Sequence, residues 1–356
     1  MATYTKRLQK VTAVLCTTAL LAGCAAGTSD NTEPAATTAP VKAITIEPTA
    51  AYQTMNGFGA SACWWSQEVG NWENAKDILS LLYDENSGIG LNIYRYNLGA
   101  GTKDDATITD PDRRAEAFID KDGSYHWERD AAAQNALALA KSMNKDLRVT
   151  LFSNSAPVFY TTNGKAYCDY LPDDENYVTN LEPERYADFA KYGIACAKHF
   201  TEAGYRVTGL SPINEPEWSW RGYEDGTAKQ EGCYYSKTQC RDLYKVFLKQ
   251  MAQEDALKGC QLEGWESGHI GTDTCMAYLQ TMFGKSGVNW LKNDALRKGM
   301  PTLALHSYWA SPEEKQAFAD AIATTYGSNY KLALTEYCQM LSLIHISEPT
   351  RHLRIS

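Results

Sequence analysis

Short apolar runs alternate with longer amphipathic stretches from residue 43 onward. Strand-like runs fall at Met55–Ala60, Ile89–Asn97, Leu147–Asn154, Val207–Asn214, Gln261–Glu266, Thr302–Trp309 and Lys331–Tyr337. Between them the spacing of apolar residues predicts helices at Glu73–Tyr83, Ala131–Met143, Glu182–Ala203, Lys237–Ala256 and Pro312–Thr325. A strand followed by a helix, repeated along the chain, predicts a parallel sheet with helical crossovers. Seven such strands are visible where a (β/α)₈ barrel needs eight. An eight-stranded barrel and a doubly wound sheet both place ligands at the carboxyl ends of their strands, so pattern alone leaves the two open.

Polar and aromatic residues collect where the predicted strands end: Tyr96-Asn97, Asn154, Asn214-Glu215, Glu266, His306 with Tyr308, and Glu336. On a barrel those ends meet on one face, which makes them the first candidates for chemistry. Composition narrows the partner. The net charge of −9 argues against nucleic acid, which needs a basic surface. The 22 tyrosines and 9 tryptophans suit sugar faces and ordinary cores alike.

The N-terminus carries a different signal. Lys6, Arg7 and Lys10 precede an apolar run from Val11 to Leu21 that is too short to span a bilayer, so residues 1–23 are expected to be a signal peptide. Leu21-Ala22-Gly23-Cys24 resembles a bacterial lipoprotein cleavage box, which implies lipid attachment at Cys24 and an exported, envelope-anchored protein. Residues 24–42, rich in Ala, Thr and Pro, read as a solvated tether. Eight further cysteines lie in the domain without a C-x-x-C pair, so no zinc or redox motif is expected. Most read as buried thiols; Cys233 with Cys240 is a candidate disulfide that the spacing leaves open.

Two glutamates carry the expected chemistry. Ser211-Pro212-Ile213-Asn214-Glu215-Pro216 puts a carboxylate at the end of the fourth strand, and the proline stops regular structure there. Leu332-Ala333-Leu334-Thr335-Glu336-Tyr337 ends the seventh strand in the same way. Glycoside hydrolysis uses such a pair, with roughly 5–5.5 Å between carboxyls for a retaining mechanism. A third carboxylate, Glu266, also ends a strand and reads either as a substrate contact or as a solvated rim residue. Gly57-Phe58-Gly59-Ala60-Ser61-Ala62 matches a loose dinucleotide fingerprint, but Asn97 stands where the acidic partner belongs.

The chain resembles glycoside hydrolase family 30, within it the endo-β-1,6-galactanase-like branch. The resemblance rests on Met55-Asn56-Gly57-Phe58-Gly59-Ala60-Ser61-Ala62-Cys63-Trp64-Trp65, Gly88-Ile89-Gly90-Leu91-Asn92-Ile93-Tyr94-Arg95-Tyr96-Asn97 and Phe152-Ser153-Asn154-Ser155-Ala156-Pro157. It extends through the Asn-Glu-Pro segment, Glu231-Gly232-Cys233-Tyr234-Tyr235-Ser236 and Leu305-His306-Ser307-Tyr308. It implies Glu215 as acid/base and Glu336 as nucleophile, with Asn214 near the sugar 2-hydroxyl and Arg95 near the nucleophile. Trp64, Trp65, Asn154, His306, Tyr308 and Trp309 are expected to line the sugar cleft. No metal or organic cofactor is implied, and the partner is a β-linked polysaccharide or oligosaccharide.

The same resemblance implies an eighth strand and a β-sandwich beside the barrel, which the early strand Ala43–Glu47 would join. The sequence offers neither after Met340, so residues 43–340 read as a C-terminally truncated (β/α)₈ barrel. Residues 341–356 begin Leu-Ser-Leu-Ile-His-Ile-Ser-Glu-Pro-Thr-Arg. They look like the translation of a transposon-type sequencing adapter and are expected to be read-through. Ala156-Pro157 stands where relatives show two prolines, which leaves the neighbouring subsite open. The rival readings are the same chemistry on β-1,6-glucan, xylan or β-glucosides, and a non-catalytic glycan-binding lipoprotein.

Overall fold

A computed structural model describes residues 54–172, 176–283, 300, 302–326 and 330–337, together with Glu47 and Thr49. The chain divides into two compact units, Met1–Thr54 and Met55–Ser356. In the first, the Glu47 carboxylate accepts hydrogen bonds from the amide and hydroxyl of Thr49. The signal peptide, Cys24, the tether, most of the early strand and the 341–356 tail lie outside the described residues, as would an eighth strand.

In the second unit seven parallel strands form one sheet in chain order. They are β1 (Gly59–Ser61), β2 (Ile93–Asn97), β3 (Arg148–Phe152), β4 (Arg206–Ser211), β5 (Gln261–Ser267), β6 (Thr302–His306) and β7 (Lys331–Glu336). β1 also comes up against β7, so the sheet curls into a nearly closed barrel. Strictly sequential order excludes a doubly wound sheet, whose order reverses at a switch point, and with it the dinucleotide reading of Gly57 to Ala62. The helices of the outer layer are α1 (Trp65–Val69), α2 (Ala75–Tyr83), α3 (Ala131–Met143), α4 (Tyr186–Glu202), α5 (Lys237–Met251), α6 (Asp273–Phe283) and α7 (Pro312–Tyr326).

Alternation along β2 sorts the two layers. Tyr94 and Tyr96 point outward and are buried under helices, Tyr94 against Tyr83 at 5.6 Å between ring centres and Tyr96 against Phe200 at 5.0 Å. Arg95 and Asn97 therefore point into the barrel. Helix α5 starts where the sequence supplies a capping box: Ser236 Oγ accepts from the Gln239 amide, and the Gln239 side chain accepts from the Ser236 amide. Among the described residues no helix is long and apolar enough to cross a membrane.

The seven described cysteines are free thiols. Cys233 Sγ donates to Asn180 Oδ1 at 2.9 Å while Cys240 Sγ donates to Tyr235 O at 3.8 Å. The two sulfurs face different neighbours, which corrects the candidate pairing.

Two buried carboxyls outside the polar centre set a pH preference. Asp130, at the start of α3, accepts from Tyr96 Oη at 2.6 Å, and Glu231 accepts from Thr102 Oγ1 at 2.6 Å and the Ala100 amide at 3.1 Å. Burial pushes both up to about 7. A carboxyl raised above its unfolded value stabilises the fold fully below that value and loses the contribution as pH rises through 7. Thermal stability is therefore expected to fall between pH 5 and pH 8, and Glu231→Gln to flatten part of that slope. A melting temperature that rises over this range, followed by circular dichroism, contradicts the assignment.

Candidate active site

The carboxyl ends of β2, β4, β5, β6 and β7 deliver one polar cluster built around Arg95. Its Nη1 donates to Glu336 Oε1 at 2.6 Å and to Ser61 Oγ at 3.2 Å. Its Nη2 donates to Asn214 Oδ1 at 3.0 Å and lies 3.5 Å from Glu266 Oε2. The guanidinium plane sits 3.4 Å from the Phe152 ring centre, a stacking that an ammonium would not reproduce. Burial alone would lower the arginine's proton affinity; the charges of Glu266 and Glu336 outweigh it and raise it.

Glu336 is held at both oxygens, since Tyr308 Oη donates to Oε2 at 2.6 Å. Burial favours its neutral form, but the charges of His306 and Arg95 and the Tyr308 bond prevail and hold it below the usual carboxylate range. Glu215 meets His306 Nδ1 at 2.9 Å. The other imidazole nitrogen meets Glu266 Oε2 at 3.2 Å. Burial would push the histidine down, yet the Glu336 charge and the bonds to Glu215 and Glu266 hold it at about 10. His306 is thus a cation across the neutral range.

Register explains how these side chains reach the centre. Along β5 the pairing with β6 skips Glu266, and along β7 the pairing with β6 skips Thr335. Each skip is a bulge that re-aims side chains beside a site. Glu266 is turned inward and fully buried, where the Arg95 charge and the His306 bond overcome burial and hold it at about 2. Thr335 Oγ1 completes the set by donating to Glu266. The solvated-rim reading of Glu266 is therefore overturned: it is an internal counter-ion, out of reach of solvent.

Backbone conformation at the centre is unusual. Of the five described non-glycine residues with positive φ, Glu215, Glu266, Trp220 and Trp309 lie on the rim loops or strand ends. Each such residue costs about 1–3 kcal/mol. Two of them are joined by one bond, the Glu215 amide donating to Glu266 O at 2.8 Å. Gly268 sits beneath Glu215 and Trp218, where any Cβ would collide with both.

The other expected cleft residues divide. Asn154 is buried and donates to Asn97 Oδ1 at 3.1 Å, next to Cys63. Trp309 stands exposed beside Tyr308 and His269. Trp64 lies at the end of β1 with the Arg113 guanidinium over its ring at 4.7 Å, outside the carboxylate cluster. Trp65 does not join the site. It opens α1, its indole donates back to Ser61 O at 2.8 Å, and its ring packs on Tyr94 in the helix layer.

Two residues, Trp218 and Thr335, escaped the sequence reading, while Asn97, one of its strand-end candidates, takes a place inside the barrel. Asn97 Nδ2 is buried with no partner among the described residues, and its alternation with Arg95 was the available signal. Trp218, exposed beside Glu215, stands in the same motif as the glutamate. Thr335 carried no signal, because only the bulge turns it inward.

Glu215, His306 and Glu336 present donor atoms within 4.8 Å of one another. The set could hold a cation, but a histidine that keeps its proton is a poor ligand. Two carboxylates so close, one held anionic between Arg95 and Tyr308 and the other beside His306, suit chemistry that needs a paired acid and base.

A sequence model described as "O-Glycosyl hydrolase family 30" matches residues 41–340. An endo-beta-1,6-galactanase of Hypocrea rufa is 30% identical over 218 residues, covering 54% of this chain and 43% of that protein. An exo-beta-1,6-galactobiohydrolase of Bifidobacterium longum subsp. longum is 27% identical over 242 residues, covering 51% and 16%. A crystal structure of a conserved exported protein from Bacteroides fragilis superposes with a TM-score of 0.70 at 25% identity, over 83% of this chain and 62% of that one. The chain thus matches less than half the length of either relative.

Proposed function

Since the chain belongs to O-glycosyl hydrolase family 30, we propose that it is a retaining glycoside hydrolase acting on β-1,6-linked galactan. The observation that carries this reading is the approach of one carboxylate oxygen of Glu215 and one of Glu336 to within 4.8 Å of each other. Retaining enzymes hold their carboxyls about 5–5.5 Å apart, whereas inverting ones need roughly 6.5–9.5 Å to admit a water. Glu336, anionic and fixed by Arg95 and Tyr308, attacks the anomeric carbon. Glu215 gives its proton to the departing oxygen and then takes one from the water that releases the sugar. Asn214, its Oδ1 committed to Arg95, is left with an amide donor for the 2-hydroxyl. Asn97 and Asn154 supply further polar contacts, and Trp309 a flat platform for a neighbouring sugar.

The β-1,6-galactan assignment draws on the names of the two relatives, which share that linkage and differ in endo or exo action. The test is a digest of β-1,6-galactan, β-1,6-glucan and β-1,4-xylan, with reducing ends counted and products followed by proton NMR. The expected result is release from galactan alone, with the β-anomer first. Faster cleavage of glucan or xylan shifts the substrate. An α-anomer first overturns the retaining mechanism. Binding to galactan with no reducing ends released supports the non-catalytic alternative.

We further propose export and lipid anchoring through Cys24, on the strength of the Leu-Ala-Gly-Cys box that follows a basic start and a short apolar run. Cys24→Ala is expected to move the protein from the membrane pellet to the soluble fraction. Unchanged fractionation rules the anchor out.

A further inference from the structure

We propose that Cys168 and Cys233 form a disulfide when the chain folds in an oxidising compartment, and that this bond braces the loop carrying Glu215. The proposal does not depend on the substrate.

The two cysteines stand on different loops of the same barrel face, after β3 and after β4, and both are buried. Their segments run side by side: the Gly232 amide donates to Ala166 O at 2.8 Å, and the Tyr234 amide donates to Cys168 Sγ at 3.4 Å. That second amide directly follows Cys233 in the chain, so Cys168 Sγ lies within side-chain reach of it. Each thiol alters the other's proton affinity. The proposal asks that the two side chains turn toward each other across these paired segments, which disulfide geometry permits where the Cβ vectors converge.

The sulfurs are also chemically unequal. Cys168 is raised by its bond to Cys233 and by burial. Cys233 is disfavoured as a thiolate by burial, but hydrogen bonds with Cys168 and Thr179 outweigh this and lower it. In the open chain, where these effects are absent, either thiolate can attack first, and the steps are the same for both. As the attacker, Cys233 displaces one thiolate from a small-molecule disulfide such as oxidised glutathione, forming a mixed disulfide. The Cys168 thiolate then attacks the Cys233 sulfur and releases the second. Two protein thiols lose two protons and two electrons, and one external disulfide becomes two thiols. Because both sulfurs are buried in the finished fold, the exchange belongs to folding, before the loops close.

The consequence reaches the site through Trp220. The Cys168 amide donates to Trp220 O at 2.9 Å, and Gly232 is pressed so closely on the Trp220 indole that a Cβ there would overlap it. The indole Nε1 in turn donates to Glu215 O at 2.7 Å. The segments bearing both cysteines therefore hold the tryptophan that holds the strained glutamate.

The test is to reduce and denature the purified full chain, refold it in mixed reduced and oxidised glutathione, block free thiols, digest without reductant and map the peptides by mass spectrometry. The expected result is one peptide joining Cys168 to Cys233, and a melting temperature about 5 °C or more above that of chain refolded under reductant. The Cys168→Ala, Cys233→Ala double variant should melt with the reduced form and show no response to glutathione. Recovery of both cysteines alkylated in folded protein, or linkage of either to another cysteine, overturns the proposal.

Discussion

Glu336→Gly is expected to lose about 10⁴-fold or more in kcat, and to regain part of it when azide is added. The stereochemistry of that rescue is the informative part. Azide entering the space left by Glu336 attacks the face the carboxylate occupied, so a β-linked aryl galactoside should yield the α-glycosyl azide. Glu215→Ala should keep activity on aryl glycosides with good leaving groups, which need no proton, and lose it on galactan. There azide arrives opposite Glu336 and yields the β-glycosyl azide. The two variants thus assign the two roles separately. A β-azide from Glu336→Gly, or turnover near wild type in either variant on galactan, removes the assignment.

Arg95→Leu is expected to lower kcat/KM by about 10²- to 10³-fold and to destabilise the fold by about 3–5 kcal/mol, the usual loss when a buried ion pair forfeits one partner. Glu266 and Glu336 would be left facing each other without the cation. The Arg95 charge lowers Glu336, so its removal raises that carboxyl, and the acid limb of the kcat/KM profile should move to higher pH. Arg95→Lys separates charge from shape. It keeps a cation over Phe152 but cannot reach Glu336 and Asn214 at once, so the acid limb should stay nearer its place while kcat falls. A kcat/KM–pH profile unmoved in Arg95→Leu would show that the arginine does not set the nucleophile's charge.

The strands and the two principal glutamates were legible because both rest on local pattern. An apolar run that stops at a polar residue marks a strand end, and sequential strand order brings such ends to one face. The predicted helix Ala131–Met143 is found with those bounds. Others were shortened: Lys237–Ala256 stops at Met251, and Ile89–Asn97 begins as strand only at Ile93. Helix α6, whose buried face is Cys275, Tyr278, Leu279 and Met282, was not among the predicted helices. Within the site, alternation marks Arg95 and Asn97 as inward together. It fails at Glu266 and Thr335, where a skipped partner resets the period and no residue type announces the skip. Trp65 misled for the opposite reason. Adjacent tryptophans after a strand invite a sugar-binding reading, yet the second starts a helix and belongs to the outer layer.

The bond from Arg95 to Glu336 spans 241 positions of the chain. Bringing such distant residues together forfeits more chain entropy than any shorter-range contact in the cluster, and contacts of that kind slow folding. A nascent chain that has not reached Glu336 holds Arg95, Glu215 and Glu266 without the residue that gives them a reaction to perform. On the proposed roles, competence waits for the seventh strand, and until that strand is made the chain passes through its compartment chemically silent.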